Sequence, residues 1–194
     1  MKSPELKVEA LCWLRYVKKM ELICTEGGPW ASDVLGTNDN YSIEVEVKTS
    51  RADVLAEFRK KTAKHFYYTT GERWCPNYFY FLIPMDLVGK VEDVITEKMP
   101  NAGILAAYAP GTGRSLVVIK KAARLRKNKP TDKFKRQVML RMGSELCGTH
   151  LALREFRRDN DRDVSQEIVN LVANAVGPVE WEPEHEEDVH EGSV

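Results

Sequence analysis

The sequence lacks several features that would assign it to a specialised class of protein. It has no apolar run of the roughly 18 or more residues that a membrane-spanning helix needs, and charges interrupt the apolar positions of its first residues, unlike a signal peptide. Its four cysteines, spaced 12, 51 and 72 residues apart, match neither a zinc-ligand spacing nor a small disulfide framework. We therefore expect a soluble, cytoplasmic protein without a membrane partner and with reduced cysteines.

Basic residues are missing from the end of the chain. Residues 178–194 contain seven acids and no Lys or Arg, so residues 1–177 carry 29 basic and 22 acidic residues, a net charge of +7. A basic body with an acidic tail is typical of proteins in which a polyanionic tail modulates contact with nucleic acid, although a merely solvated tail has the same composition.

Hydrophobic periodicity predicts an α/β protein with a mixed central sheet flanked by helices. The predicted order is a helix over 4–20, two short strands before Gly36, a strand over 41–49, a helix over 50–64, a strand over 77–84, a short helix over 91–99, and strands over 102–109 and 115–122 joined by a turn at Gly111 and Gly113. Further helices are predicted over 131–158 and 163–176. We therefore expect a core domain over 1–130, a helical extension over 131–177 and a disordered acidic tail over 178–194.

Three charged side chains of the predicted sheet are the candidate catalytic residues. Glu46 and Lys48 are two residues apart in an alternating strand, so their side chains project from the same face. A hairpin centred between positions 39 and 40 would place Asp33 opposite Glu46, bringing two carboxylates close enough to hold one Mg²⁺ or Mn²⁺ ion. Lys48 would orient the attacking water, deprotonate it if its pKa were depressed, or stabilise charge in the transition state of phosphodiester hydrolysis. A solvent-facing strand with paired charges would show the same pattern.

Three segments of the chain resemble, in order, the core motifs of the PD-(D/E)xK nuclease superfamily, and are most like its MmcB-like DNA-repair group: SDVLG, IEVEVKTSRADV and YFYFLIP. In this resemblance Asp33 is the motif aspartate, Glu46 the motif acid and Lys48 the motif lysine. The similarity covers roughly residues 5–126. It departs from the family pattern at Ser32, where the motif has proline, and in the C-terminal helices, which have no counterpart.

The resemblance implies a restriction-endonuclease-like fold and a divalent-metal-dependent deoxyribonuclease acting in DNA repair, in recombination or in a phage or mobile-element setting. RNA is not excluded as a substrate, because the superfamily includes RNA-directed members. Many members use a glutamate of the first helix as a further metal ligand. Glu9 is the expected match and Glu5 is the alternative.

Basic residues cluster in two parts of the sequence that we expect to contact nucleic acid. One is the helix after the candidate catalytic strand, and the other is the segment 114–136, with ten basic residues and one acid. Such density neutralises phosphates with little sequence specificity, although a solubilising surface would share the composition. Aromatic residues between the two clusters would stack on bases or pack in the core, and we favour the core for Phe66. The residues assigned to nucleic-acid binding are Ser50, Arg51, Lys60, Lys61, Lys64, Lys121, Arg124, Arg126 and Lys127.

Two alternatives to an isolated nuclease stay open at this stage. In the first alternative, the chain has the nuclease fold but does not cleave nucleic acid, and it binds nucleic acid or a protein partner instead. Alternatively, or in addition, the C-terminal helices would serve as a docking element, either for a second copy of the chain or for another protein.

Overall fold

The computed structural model describes residues 2–59, 64–70, 74–108 and 116–160, and six strands dominate its architecture. The strands are β1 (Leu22–Gly27), β2 (Ser32–Thr37), β3 (Ser42–Val47), β4 (Tyr78–Pro84), β5 (Gly103–Ala107) and β6 (Leu116–Lys120). They form one sheet in chain order, β1-β2-β3-β4-β5-β6. The neighbours β3-β4 and β4-β5 are parallel and the other pairs are antiparallel. The predicted α/β class with a mixed central sheet is therefore confirmed.

Helices flank this sheet. They are α1 (Ser3–Cys12), which continues into a π-helical turn (Trp13–Val17), α2 (Arg51–Arg59), α3 (Lys64–Thr70), α4 (Val88–Lys98), which follows a 3-10 turn (Met85–Leu87), and α5 (Asp132–Asn160). The parallel β3-β4 connection runs through α2 and α3, and the β4-β5 connection runs through α4. Within the described part of the chain, no helix combines the length and the apolar character needed to cross a membrane.

The β2-β3 hairpin has the predicted register. Thr37 pairs with Ser42, so the turn is centred between positions 39 and 40. The turn is stabilised by Asn38, whose Oδ1 accepts hydrogen bonds from the backbone N–H groups of Asn40 at 2.9 Å and Tyr41 at 3.0 Å. Asparagine favours such turns because its side chain can satisfy backbone donors two or three residues ahead.

The two faces of the sheet have separate apolar cores. On one face, α1 packs against β2, β3 and β4, and the core there extends to Leu105 and Ala107 of β5. On the other face, α2, α3 and α4 cover the opposite set of side chains. The first core includes Leu6, Ala10, Leu14, Val34, Val45, Val47, Leu82 and Leu105, and the second includes Val54, Tyr68, Phe79, Phe81, Ile83, Val91, Ile95 and Ile104. The central strand β4 contributes apolar side chains to both, as expected for a parallel strand covered on both faces.

The helix predicted over 50–64 is described in part, as α2 (Arg51–Arg59) and as Lys64, the first described residue of α3, while residues 60–63 lie outside the described residues. The buried positions of α2 are Val54 and Glu57, whereas Ala52, expected inside, is exposed. Leu55 and Phe58, also expected inside, are partly buried, and Phe58 packs against the core, so the expected inward face is wrong at Ala52 alone among its described members.

The chain divides into two compact units, Met1–Thr149 and His150–Val194. In the first unit, the beginning of α5 is anchored by Phe134 and Val138, which are buried together with Cys24 and Leu35. The described part of the second unit, 150–160, is helical. The turn at Gly111 and Gly113, the helix predicted over 163–176 and the acidic tail lie outside the described residues. The domain boundaries predicted at 130 and 177 stay predictions.

Candidate active site

The polar face of β3 is buried, which corrects the prediction of a half-buried strand. Glu44, Glu46 and Lys48 expose only 0%, 8% and 5% of their surfaces. The reason is that α2 and α3 cover this face with side chains of complementary charge. Charged groups tolerate burial only when they are paired in this way.

Five charged groups and one tyrosine on this face form a continuous network, which we call the polar network: Tyr68, Glu44, Lys64, Glu46, Lys48 and Glu57. Tyr68 donates its hydroxyl hydrogen to Glu44 Oε2 at 2.5 Å. The Lys64 ammonium lies 2.6 Å from both Glu44 Oε1 and Glu46 Oε2. The Lys48 ammonium lies 2.9 Å from Glu46 Oε1 and 2.8 Å from Glu57 Oε2. Both oxygens of Glu46 are thus bound by ammonium groups.

The network holds both of its lysines in the charged form. Burial alone would lower the pKa of Lys48, but Glu46 and Glu57 outweigh it and raise the pKa above its ordinary value. Burial also acts to lower the pKa of Lys64, but Glu44 and Glu46 outweigh it and raise the pKa above its ordinary value. Of the three roles expected for Lys48, removal of a proton from water is therefore disfavoured, whereas orientation and charge stabilisation are compatible with the structure.

Asp33 approaches the end of β3 from the neighbouring strand. Because Val34 pairs with Val45, Asp33 and Glu46 occupy the next positions along the two strands. The Asp33 Oδ2 accepts the backbone N–H of Val47 at 2.9 Å. Its carboxylate therefore lies beside the strand segment that carries Glu46 and Lys48.

The other oxygen of Asp33 is bound by α1. Lys7 Nζ lies 2.9 Å from Asp33 Oδ1 and also contacts Glu26. Partial burial acts to lower the pKa of Lys7, but Glu26 and Asp33 together raise it. Every carboxylate oxygen of Asp33 and Glu46 thus accepts a hydrogen bond or an ion pair from the protein itself.

The carboxylates predicted as metal ligands do not all converge. Asp33, Glu46 and Glu9 belong to the described residues, and among those residues no group of three or more His, Cys, Asp or Glu side chains is arranged to hold a metal ion. Glu9 is partly buried on α1. The alternative ligand, Glu5, accepts a hydrogen bond from the backbone N–H of Lys2 at 2.8 Å.

No known relative was found. Neither a protein-family model, nor a curated protein, nor a solved structure matches this chain. The similarity to the nuclease superfamily therefore depends on the motif residues of the chain itself.

The residues predicted to bind nucleic acid fall into separate places. Ser50 and Arg51 are exposed at the start of α2, where Ser50 Oγ accepts the N–H of Asp53 at 3.1 Å. Lys64 was expected on the outside and this is wrong, since its side chain is 10% exposed and belongs to the polar network. Lys60 and Lys61 lie outside the described residues.

The second basic cluster lies at the other end of the sheet from Lys48. Lys121, Arg124 and Lys127 are exposed and Arg126 is partly buried. The buried Asn77, which precedes β4, holds this segment by donating to the carbonyl oxygens of Arg126 at 2.7 Å and of Asn128 at 2.9 Å. The basic segment is thereby fixed near the amino end of β4.

The sequence analysis assigned no role to Glu44 and Glu57, and it considered Tyr68 only as an aromatic residue that would stack on bases or pack in the core. A signal for Glu57 exists, since it lies three residues after Val54 and therefore on the apolar side of α2. Glu44 shares the face of Glu46 by alternation. The orientation of α3 had no comparable signal: Phe66, expected in the core, is 58% exposed, whereas Tyr68 is 3% exposed.

Proposed function

We propose that this protein is a metal-dependent nuclease that hydrolyses phosphodiester bonds in DNA, with Asp33, Glu46 and Lys48 as its catalytic residues. The observation that carries the proposal is the hydrogen bond from Val47 N–H to Asp33 Oδ2, which brings the aspartate to the segment that holds the Glu46–Lys48 pair. The motif resemblance requires this arrangement, in which an acid on one strand lies beside an acid and a lysine on the next strand. A restriction-endonuclease-like version of the α/β fold belongs to the same proposal.

The location of these residues also supports a site. Ligands of open α/β sheets bind beyond the carboxyl ends of the parallel strands. Lys48 directly follows β3, and its N–H donates to the Leu82 carbonyl of the parallel strand β4 at 3.0 Å. The buried charges point the same way, since ionisable groups in a low-dielectric environment are commonly retained for function rather than for stability.

The donor set fits Mg²⁺ or Mn²⁺, because both prefer oxygen ligands and Mg²⁺ commonly takes only one or two carboxylates together with water and substrate phosphate oxygens. Such an ion would stabilise charge on the phosphate and lower the pKa of a bound water. Asp33 and Glu46 would hold it. Lys64 and Lys7 now bind oxygens of the same two carboxylates, so these ammonium groups and the ion would compete.

Lys48 acts in this proposal as a fixed positive charge. It is held by Glu46 and Glu57 on one side of β3, so its orientation does not depend on substrate. Its raised pKa keeps it protonated at neutral pH. A preorganised ammonium of this kind stabilises the additional negative charge of the transition state without further reorganisation.

A binding protein without nuclease activity is the second candidate function. The observation that favours it is the saturation of Asp33 and Glu46, whose four carboxylate oxygens are bound by Lys7, Lys48, Lys64 and the Val47 N–H. If these contacts persist in solution, the network is structural. The exposed residues Lys121, Arg124 and Lys127 would then hold nucleic acid without cutting it.

The test is cleavage of labelled single-stranded, duplex and branched DNA, and of RNA, in Mg²⁺, Mn²⁺ or EDTA. We expect cutting that requires metal, and a loss on the order of 10²–10³-fold in rate for Lys48→Ala and for Asp33→Asn, the range found when one electrostatic stabiliser is removed. Lys98→Ala and Asp93→Asn are matched controls, because both residues are exposed on α4.

Folding of each variant is checked by thermal unfolding, since Lys48→Ala removes an ammonium that two buried acids contact. Asp33 is only partly buried, so Asp33→Asn reports on catalysis even if Lys48→Ala is unstable. The absence of cutting in all substrates, with binding retained, would favour the second candidate function.

A further inference from the structure

The face of the sheet that packs on α1 carries a cavity apart from the polar network. Its volume is about 370 Å³, which lies at the lower end of the range of small-molecule sites. Three tyrosines, Tyr41, Tyr78 and Tyr80, and two lysines, Lys18 and Lys121, contribute to its lining. A nucleotide base stacks on aromatic rings, and a phosphate pairs with lysine, so the lining contains both kinds of side chain that suit a nucleotide.

The alternation of the strands explains why the rings gather there. Tyr78 and Tyr80 are two residues apart in β4 and project from the same face. Tyr80 pairs in register with Gly103, and a Cβ atom at Gly103 would lie 2.3 Å from the Tyr80 ring. The missing side chain of the glycine therefore makes room for the ring.

Neighbouring aromatic rings fix the orientation of these tyrosines. The Tyr80 ring meets the Trp13 ring edge-on, with 5.4 Å between centroids. Tyr41 and Tyr78 are nearly perpendicular, with centroids 5.7 Å apart. Aromatic contacts of this kind restrict the side-chain motion of the rings before any ligand binds. Less conformational entropy is therefore lost when a ligand stacks on them.

The charged residues that line the cavity are both basic. Among the described residues that line it, none is acidic, and Lys18 and Lys121 provide two positive charges. Lys121 also begins the exposed basic segment that contains Arg124 and Lys127.

We propose that this cavity binds a nucleotide, with its base on the rings of the partly buried Tyr41 and Tyr78 and its phosphate at Lys18 and Lys121. Stacking tolerates any base because every base has a π face. Lysine binds phosphate as a point charge and does not require a fixed geometry. The ligand is therefore a nucleotide, either free or as one unit of a strand.

The cavity is separate from the proposed active site. Ile43, which lines it, belongs to the face of β3 opposite Glu44 and Glu46. Ile43 and Lys48 are five positions apart, which corresponds to roughly 17 Å along a strand. The proposal therefore does not depend on metal binding or on cleavage.

The test is calorimetric titration in EDTA with deoxyadenosine monophosphate, deoxyadenosine, inorganic phosphate and a four-nucleotide deoxyadenosine strand. We expect the monophosphate to bind more tightly than deoxyadenosine or phosphate. Tyr78→Ala should weaken the monophosphate and deoxyadenosine about tenfold, the middle of the range for loss of one stacking contact. Lys121→Glu should weaken the monophosphate about tenfold and leave deoxyadenosine unchanged.

Tyr108→Ala and Lys90→Glu are the matched controls, because both residues are exposed and neither lines the cavity. A strand that binds more tightly than the monophosphate would identify a nucleotide within a strand as the ligand, and equal affinity would identify a free nucleotide. The proposal is overturned if the monophosphate does not bind at millimolar concentration, or if its affinity is the same in Tyr78→Ala and Lys121→Glu as in the wild type. EDTA prevents cleavage, so failure of the nuclease proposal leaves this result intact.

Discussion

The two faces of β3 are buried to a similar extent but by opposite means. Towards α1, Ile43 and Val45 are 2% and 0% exposed and belong to an apolar core. Towards α2 and α3, Glu44 and Glu46 are 0% and 8% exposed and belong to the polar network. One strand of six residues thus separates an ordinary hydrophobic core from a buried cluster of charges.

This difference bears on the proposed function. Burying apolar surface stabilises a protein by about 25 cal/mol per Å². Burying an ion pair involves a desolvation cost that pairing only partly offsets, and well-packed apolar residues often replace such pairs without loss of stability. The retention of five charged groups on one face of β3 therefore supports a functional site, while the other face needs no explanation beyond packing.

The largest effect is expected at the centre of the polar network. Lys48→Ala leaves Glu46 without one partner and removes an ammonium from Glu57, so we expect a loss of about 3–5 kcal/mol in the free energy of unfolding. Denaturant unfolding measures it. Lys98→Ala is the control, because its ion pair with Glu97 is exposed and such pairs contribute about 0–1 kcal/mol. Equal losses in the two variants would show that the ion pairs of the polar network contribute no more to the free energy of unfolding than an exposed ion pair.

A smaller effect is expected on the apolar face. Leu14 is 0% exposed and packs over Gly36 of β2, so Leu14→Ala should cost about 2–5 kcal/mol through lost burial and a residual cavity. Leu140→Ala is the matched control, since Leu140 is 62% exposed and its truncation should change stability by no more than about 0.5 kcal/mol. A loss for Leu14→Ala that does not exceed the control would contradict the assignment of this face as the main apolar core.

The sequence predicted the apolar face more completely than the polar one. Alternation in β3, the short apolar run of β4 and the turn composition of residues 36–40 are local signals, and they predicted the strands and the hairpin register that the structure confirms. Burial of the polar face depends on α3, whose Lys64 is 20 residues from Glu44 along the chain. Hydrophobic periodicity carries no information on such long-range pairing.

The same limit explains two wrong expectations within one helix. A continuous helical pattern over 50–64 placed Lys64 on the outside, but Lys64 lies in α3 with its ammonium 2.6 Å from Glu44 and Glu46. In the same helix, Phe66 is exposed and Tyr68 is buried against Glu44. Residues 33, 46 and 48 were identified as a candidate site by motif and alternation, whereas the partners that surround them required the tertiary structure.

The smallest effect distinguishes a metal site from a permanent salt-bridge network. Lys64 Nζ lies 2.6 Å from Glu46 Oε2, so the ammonium would compete with a divalent cation for this carboxylate oxygen. Lys64→Met should therefore increase Mn²⁺ affinity at least about tenfold, equivalent to ~1.4 kcal/mol. Calorimetric titration at fixed ionic strength measures the affinity, and the rise in unfolding temperature with Mn²⁺ provides a second measurement.

Lys98→Met makes the same change in net charge on the exposed surface of α4, and its Mn²⁺ affinity should remain that of the wild type. If Lys64→Met and the wild type bind Mn²⁺ equally, Lys64 does not compete for Glu46 and the ion binds elsewhere. If neither binds Mn²⁺, the metal-dependent part of the proposed function fails, and the charged face of β3 is a structural counterpart of its apolar face.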